Sequence, residues 1–168
     1  MAGVDTLEVE PQPVVQGAQL AREIESDTEL LRDVGQPAFQ GLADDGRGLP
    51  AVRDFFAELI AVRCSGKYAG WGCMVVNAHT GAEHNDPAVR ALLDEHHQQL
   101  RDAMCAVLET ARLRGQLSAG VATDAAAEVL ALLAYGVNLR SRAGADPGVL
   151  LRSVTAALAP LGPGKCSM

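Results

Sequence analysis

Apolar residues recur every three to four positions in several long stretches of the chain, which is the spacing that places them on one face of an α-helix. Glycine-rich segments at 35–49 and 66–72 separate some of these stretches and predict loops, with a short broken helix as the alternative for the first. We find no convincing pair of strands. The pattern therefore predicts an all-α fold, with helices near 14–34, 50–64, 86–114, 123–142 and 147–159.

Helix boundaries are marked by capping residues. Asp86-Pro87 and Asp146-Pro147 each place an N-cap acceptor before a proline at the first helical position. Thr123-Asp124 predicts another capped start, and Gly144 a C-terminal glycine. The helix from residue 86 would make about eight turns, so we expect it to be the spine of the domain.

Residues 73–76, Cys-Met-Val-Val, are ambiguous because a short apolar run fits either a buried strand or the start of a short helix. The motifs around them are more specific as an ordered set. Gly72-Cys73 is followed by Asn77, then by Asp-Pro-Ala-Val-Arg at 86–90, and the long helix ends near Gly115-Gln-Leu117. A Phe-Phe helix precedes this set, and two apolar helices separated by Ala-Gly-Ala-Asp-Pro follow it.

This order resembles the C-terminal ligand-binding domain of TetR-family transcriptional regulators over residues 50–160, most closely at 72–117. The resemblance implies a TetR-like helical bundle of about six helices, with 73–76 helical. It also implies a homodimer formed by the last two long helices, and the nearly continuous apolar run Val129–Leu139 agrees with that independently. The expected dimer residues are Val129, Leu130, Leu133, Val137, Leu150, Val154 and Leu158.

The resemblance further implies a pocket among helices 50–64, 73–84 and 86–114, beneath the last pair. We expect it to hold a hydrophobic small molecule, with aromatic, methionine and polar side chains in its wall. For His96 and the methionines, ordinary core packing is the competing interpretation. The predicted ligand-binding residues are Phe56, Leu59, Tyr68, Trp71, Met74, Asn77, His79, His96, Leu100, Met104, Tyr135 and Asn138.

Charge changes the functional interpretation. Residues 1–50 contain ten acids and three arginines, which gives the whole net charge of −7, whereas residues 51–168 have eleven of each sign. DNA binding depends on Lys and Arg that neutralise phosphates. The basic helix-turn-helix of the family is not recognisable in residues 1–50, so we expect no direct nucleic-acid binding by this chain. It would act as a sensor fragment or as a sequestering or partner-binding protein.

The remaining sequence features limit other functions. The four cysteines form no CxxC pair and are expected to be free thiols. No apolar run is long enough to cross a membrane, and the N-terminus does not resemble a secretory signal. We therefore expect a cytoplasmic protein with a disordered lead-in at 1–13, one domain at 14–162 and a flexible tail at 163–168. His79, Glu83 and His84 lack a standard zinc spacing, so no metal or cofactor is predicted.

Catalysis is the alternative function. The chain has no nucleophile motif, no P-loop and no dinucleotide fingerprint. An enzyme built on this pocket would need to rely on its shape and on one or two acid/base groups. That suits cyclisation, isomerisation or dehydration of a hydrophobic metabolite, with His79, His96 and Tyr68 as the first candidates.

Overall fold

The computed structural model describes residues 37–65, 69, 73–81 and 85–163, and within these ranges every regular element is a helix. The predicted all-α fold is therefore confirmed. The expected lead-in, the helix at 14–34, Tyr68, Trp71 and residues 164–168 lie outside the described residues. The helices are α1 (37–43), α2 (Leu49–Cys64), α3 (Met74–Thr80), α4 (Pro87–Leu113), α5 (Thr123–Arg142) and α6 (Pro147–Leu158), followed by a 3₁₀ turn at Ala159–Leu161.

Two of the three predicted helix caps are confirmed. The carboxylate of Asp86 accepts a hydrogen bond from the backbone N–H of Ala88 at 2.7 Å, and that of Asp146 accepts from Val149 at 3.0 Å. The predicted cap at Thr123 is wrong, because Ala122 holds the N-cap position of α5 without a side-chain bond. The hydroxyl of Thr123 donates instead to Glu109 of α4, so a tertiary contact replaces the local one.

Residues 74–80 form a helix, which settles the ambiguity left by the sequence. Cys73 is extended and stands at the N-cap position. Val75 packs with Val89 and Leu93 of α4 in a small apolar cluster. This contact fixes the short helix against the N-terminal half of α4.

The principal core is formed by α2, α4, α5 and α6, with α4 in contact with α2, α3 and α5. The contacts do not single out α4 as the expected spine, because α5 meets α2, α3, α4 and α6. Phe56 and Met104 have no exposed surface and lie at the centre of this core. Burying side chains of this size stabilises the fold by roughly 1.5–3 kcal/mol each. No helix in the described ranges is both long and apolar enough to cross a membrane.

The start of α2 is fixed by a side chain from beyond the end of α4. The side-chain oxygen of Gln116 accepts from the N–H of Leu49 at 2.9 Å, and its amide nitrogen donates to the carbonyl of Arg47 at 3.0 Å. Gly48 lies between these two residues with φ of 75°, and a Cβ there would stand 2.9 Å from Cα of Ala111. Only glycine allows this close approach of α2 to α4.

Candidate functional site

A cavity of about 350 Å³ lies where α1, α2 and α3 meet α4 and α5. Its wall is mostly apolar, with a few polar side chains that converge on the same space. Two other hollows, of about 550 and 440 Å³, are more open and are lined by several charged or amide side chains. The first cavity is lined by Ala38, Phe39, Phe55, Leu59, Arg63, Cys73, Met74, Val75, His96, Leu100, Ala134, Tyr135 and Asn138.

His96 of α4 and Tyr135 of α5 form a polar pair in this wall. Nδ1 of His96 lies 3.3 Å from the hydroxyl oxygen of Tyr135. Phe39 contacts the imidazole of His96 edge-on, with ring centroids 5.0 Å apart. The pair thus joins α4 to α5 in the cavity wall, and Phe39 of α1 packs against the His96 ring.

Burial shifts the titration of both groups away from neutrality. It lowers the pKa of His96 to about 4, with further contributions from His79 and His97. It also raises the pKa of Tyr135 above its ordinary value, helped by Cys73 and Asp94. Efficient proton transfer needs a pKa near the working pH. The uncharged pair is therefore better suited to hydrogen bonding than to acid/base catalysis.

Two further histidines surround the ring of Tyr135. The His79 ring meets it edge-on with centroids 5.5 Å apart, and the His97 ring stacks on it at 5.6 Å. Nε2 of His97 lies 3.1 Å from a carboxylate oxygen of Glu128, whose other oxygen is 3.4 Å from Arg101. These contacts hold Tyr135 from both sides and tie α4 to α5 beside the cavity.

Asn138 is the most buried polar residue of the cavity wall, with 6% of its surface exposed. Its amide nitrogen donates to the carbonyl of Ala134 at 2.9 Å. Its amide oxygen is buried and has no hydrogen-bond partner among the described residues. Arg63, at the C-terminal end of α2, is the charged residue of the described wall, which contains no carboxylate.

Residues 48–157 match the family model of the tetracyclin repressor-like C-terminal domain. The chain belongs to this family. No curated protein and no solved structure matches the chain. The match covers α2 to α6 almost completely and so includes most of the cavity wall. It confirms the TetR resemblance that the motif order suggested.

The structure of this TetR-type domain brings together half of the residues predicted to bind the ligand. Asn77 and His79 lie close to the cavity without lining it, and Asn77 accepts a hydrogen bond from Arg142 at 2.7 Å. Phe56 and Met104 lie in the principal core and not in the cavity wall. The predicted residues that line the cavity are Leu59, Met74, His96, Leu100, Tyr135 and Asn138.

Several wall residues were not foreseen from the sequence. Phe39 belongs to α1, within a segment whose glycines favoured a loop. Phe55 and Arg63 were assigned to the α2 pattern without a role in the site. Because Phe55 neighbours Phe56 but points about 100° away on the helix, one ring faces the cavity and the other the core. Only tertiary packing distinguishes the two.

Most of the residues predicted for a dimer interface are buried inside the chain itself. Leu130 and Val137 of α5, and all three predicted residues of α6, belong to the principal core and present little surface to a partner. Val129 is exposed and Leu133 is half-buried. The large apolar side chains that α5 does expose are those of Val129, Leu132 and Leu139.

A metal site finds no support in the described ranges, where no three His, Cys, Asp or Glu side chains come together as ligands. Glu83 and His84 lie outside those ranges. Cys64, Cys73 and Cys105 are free thiols. Cys105 donates to the carboxylate of Asp124 at 3.3 Å, and burial raises the pKa of this thiol, with Asp124 adding to the effect.

Proposed function

We propose that this domain binds a small, largely hydrophobic molecule in the cavity lined by His96 and Tyr135 and acts as the sensing domain of a transcriptional regulator. The observation that carries the proposal is the cavity itself, which is less open than the other two, is mostly apolar and contains a few convergent polar groups. Its volume of about 350 Å³ lies at the lower end of the roughly 300–1,000 Å³ typical of small-molecule sites. Membership of the family supports the same assignment.

We further propose that the domain forms a homodimer through the outer face of α5, beside α6. The exposed residues Val129, Leu132, Gly136 and Leu139 follow one another at intervals of three and four along α5. They form one apolar stripe, which we call the α5 stripe. An exposed stripe of this kind on a helix is typical of a surface that a second protein covers.

The position of α5 suggests how the two sites communicate. Tyr135 and Asn138 line the cavity, and the residue that follows each of them, Gly136 and Leu139, belongs to the α5 stripe, about 100° round the same helix. A ligand that shifts Tyr135 would therefore move the residues at the proposed dimer interface. Coupling of this kind requires only that the ligand prefers one of two positions of α5.

The proposal is tested by filling the cavity. Leu59 lines it and is half-buried, so Leu59→Trp introduces a large side chain at the wall. We expect a library of hydrophobic compounds, screened by thermal shift, to stabilise the wild-type protein. A compound at about one hundred times its Kd stabilises by about 2.7 kcal/mol. The same compound should no longer stabilise the Leu59→Trp variant.

Leu113→Trp provides the matched control, because Leu113 is 81% exposed at the end of α4 and lies outside the cavity wall. This variant should keep the full response to the compound. Circular dichroism establishes that both variants are folded. Equal stabilisation of the Leu59→Trp and Leu113→Trp variants would place binding elsewhere and contradict the proposal.

A further inference from the structure

The amide oxygen of Asn138 is a buried acceptor without a partner among the described residues. Asn138 itself forms part of the cavity wall. A buried acceptor that forms no hydrogen bond loses its hydration without compensation, so such atoms are rare in native proteins. Because Ala134 fixes the amide nitrogen through a hydrogen bond at 2.9 Å, the oxygen cannot be exchanged with the nitrogen without losing that bond.

The neighbouring pair supplies a complementary donor. If Tyr135 donates to Nδ1 of His96, the imidazole proton is on Nε2 and remains available. If Nδ1 carries the proton, the hydroxyl proton of Tyr135 remains instead. In both arrangements the pair retains one polar hydrogen that its own bond does not use. Tyr135 and Asn138 are three residues apart on α5, which places their Cβ atoms about 5–6 Å from each other.

We infer that the ligand of this cavity is a largely apolar molecule without positive charge, bearing a hydroxyl or amide group that donates to Asn138 and accepts from the His96–Tyr135 pair. This inference rests on the proposed function and specifies its ligand class. Because the Asn138 oxygen is shielded from solvent, binding requires its amide to turn toward the cavity. The described wall contains Arg63 and no carboxylate, so it offers nothing to neutralise a cationic ligand.

The inference is tested with pairs of probes in which a methyl ether replaces the hydroxyl donor. The three pairs are phenol with anisole, 2-naphthol with 2-methoxynaphthalene, and 4-phenylphenol with 4-methoxybiphenyl, titrated calorimetrically into the full chain at pH 7. Methylation removes the donor and leaves the aromatic body unchanged. We expect the hydroxylated member of the best-fitting pair to bind about tenfold more tightly than its ether.

Asn138→Leu removes the acceptor and retains an apolar side chain of similar size. This variant should bind the hydroxyl and methoxy compounds equally, because the partner of the donor is gone. Leu59→Met is the matched control, since it alters an apolar wall position at nearly constant volume. It should retain the tenfold preference.

The outcomes separate this inference from the proposed function. If the ethers bind as tightly as the hydroxyl compounds, the cavity is a ligand site but Asn138 does not select a donor, and the inference alone fails. If the Asn138→Leu variant still binds the hydroxyl compound more tightly than its ether, the inference alone also fails. If no probe of any pair binds and the library screen also gives no stabilising compound, both the inference and the proposed function fail.

Discussion

Tyr135 places its hydroxyl oxygen 3.3 Å from Nδ1 of His96 and joins α5 to α4 in the wall of the cavity. The two residues are thirty-nine positions apart in the chain. A charged imidazole at this position would be buried away from water and would lie near His79 and His97, and this is why the folded protein disfavours it.

This shift predicts a pH dependence of stability. The pKa of His96 is about 4 in the folded protein against an ordinary value of 6.5. Between these values the unfolded chain binds a proton that the folded protein does not. The free energy of unfolding should therefore fall as the pH is lowered from 6.5 to 4, by up to about 3 kcal/mol from this group, and no further below.

The measurement compares urea unfolding of the wild type and His96→Gln between pH 7 and pH 4. Carboxylates titrate in both proteins, so the difference between the two curves isolates the histidine. The wild type should lose more stability than the variant across this window. Parallel curves would mean that His96 titrates alike in the folded and unfolded chain.

Gly48→Ala should destabilise the protein by about 2 kcal/mol or more, since it combines a positive φ with a clash against the backbone of Ala111. Gly41→Ala is the control, because the residue is helical and no atom lies within 4 Å of the place that its new methyl group would take. That change should be neutral or stabilising by up to about 1 kcal/mol. The midpoint of thermal or urea unfolding should therefore fall clearly in Gly48→Ala and should stay the same or rise in Gly41→Ala.

The oligomeric state should depend on the α5 stripe. Leu132 is 56% exposed at its centre, and Leu132→Arg would place a charge in the proposed interface, where burial without a partner is costly. Sedimentation velocity should show a dimer for the wild type and a monomer for this variant. Leu113→Arg, at an exposed site on α4, should leave the dimer intact, and loss of the dimer in both variants would argue against a specific role for α5.

This 168-residue chain should not bind an operator-length DNA duplex at low salt. Ten acids and three arginines in residues 1–50 give that part a charge of −7, which repels phosphates, and the remainder is balanced. Electrophoretic mobility shift and fluorescence anisotropy at about 50 mM salt measure this directly. A tight complex that weakens steeply with added salt is the result that would reverse the prediction.

The sequence alone determined the helices α2, α4, α5 and α6 and most of their ends. Local effects suffice for this, because Asp86 and Asp146 cap the helices that follow them. The helical spacing of the apolar residues in 86–114 is likewise a local property, and it predicts the helix without knowledge of the residues that it contacts. The motif order from Gly72-Cys73 onward also pointed to the family whose model matches residues 48–157.

Only the tertiary structure decided which faces of these helices meet. The run Val129–Leu139 is apolar nearly all round, so no period in it distinguishes Leu130, which is buried, from Val129, which is exposed. The approach of α4 to α5 makes that choice by packing. The same approach brings His96 to Tyr135 and leaves the oxygen of Asn138 without a partner among the described residues. Contacts between residues distant in the chain follow from how helices pack, which local sequence does not specify.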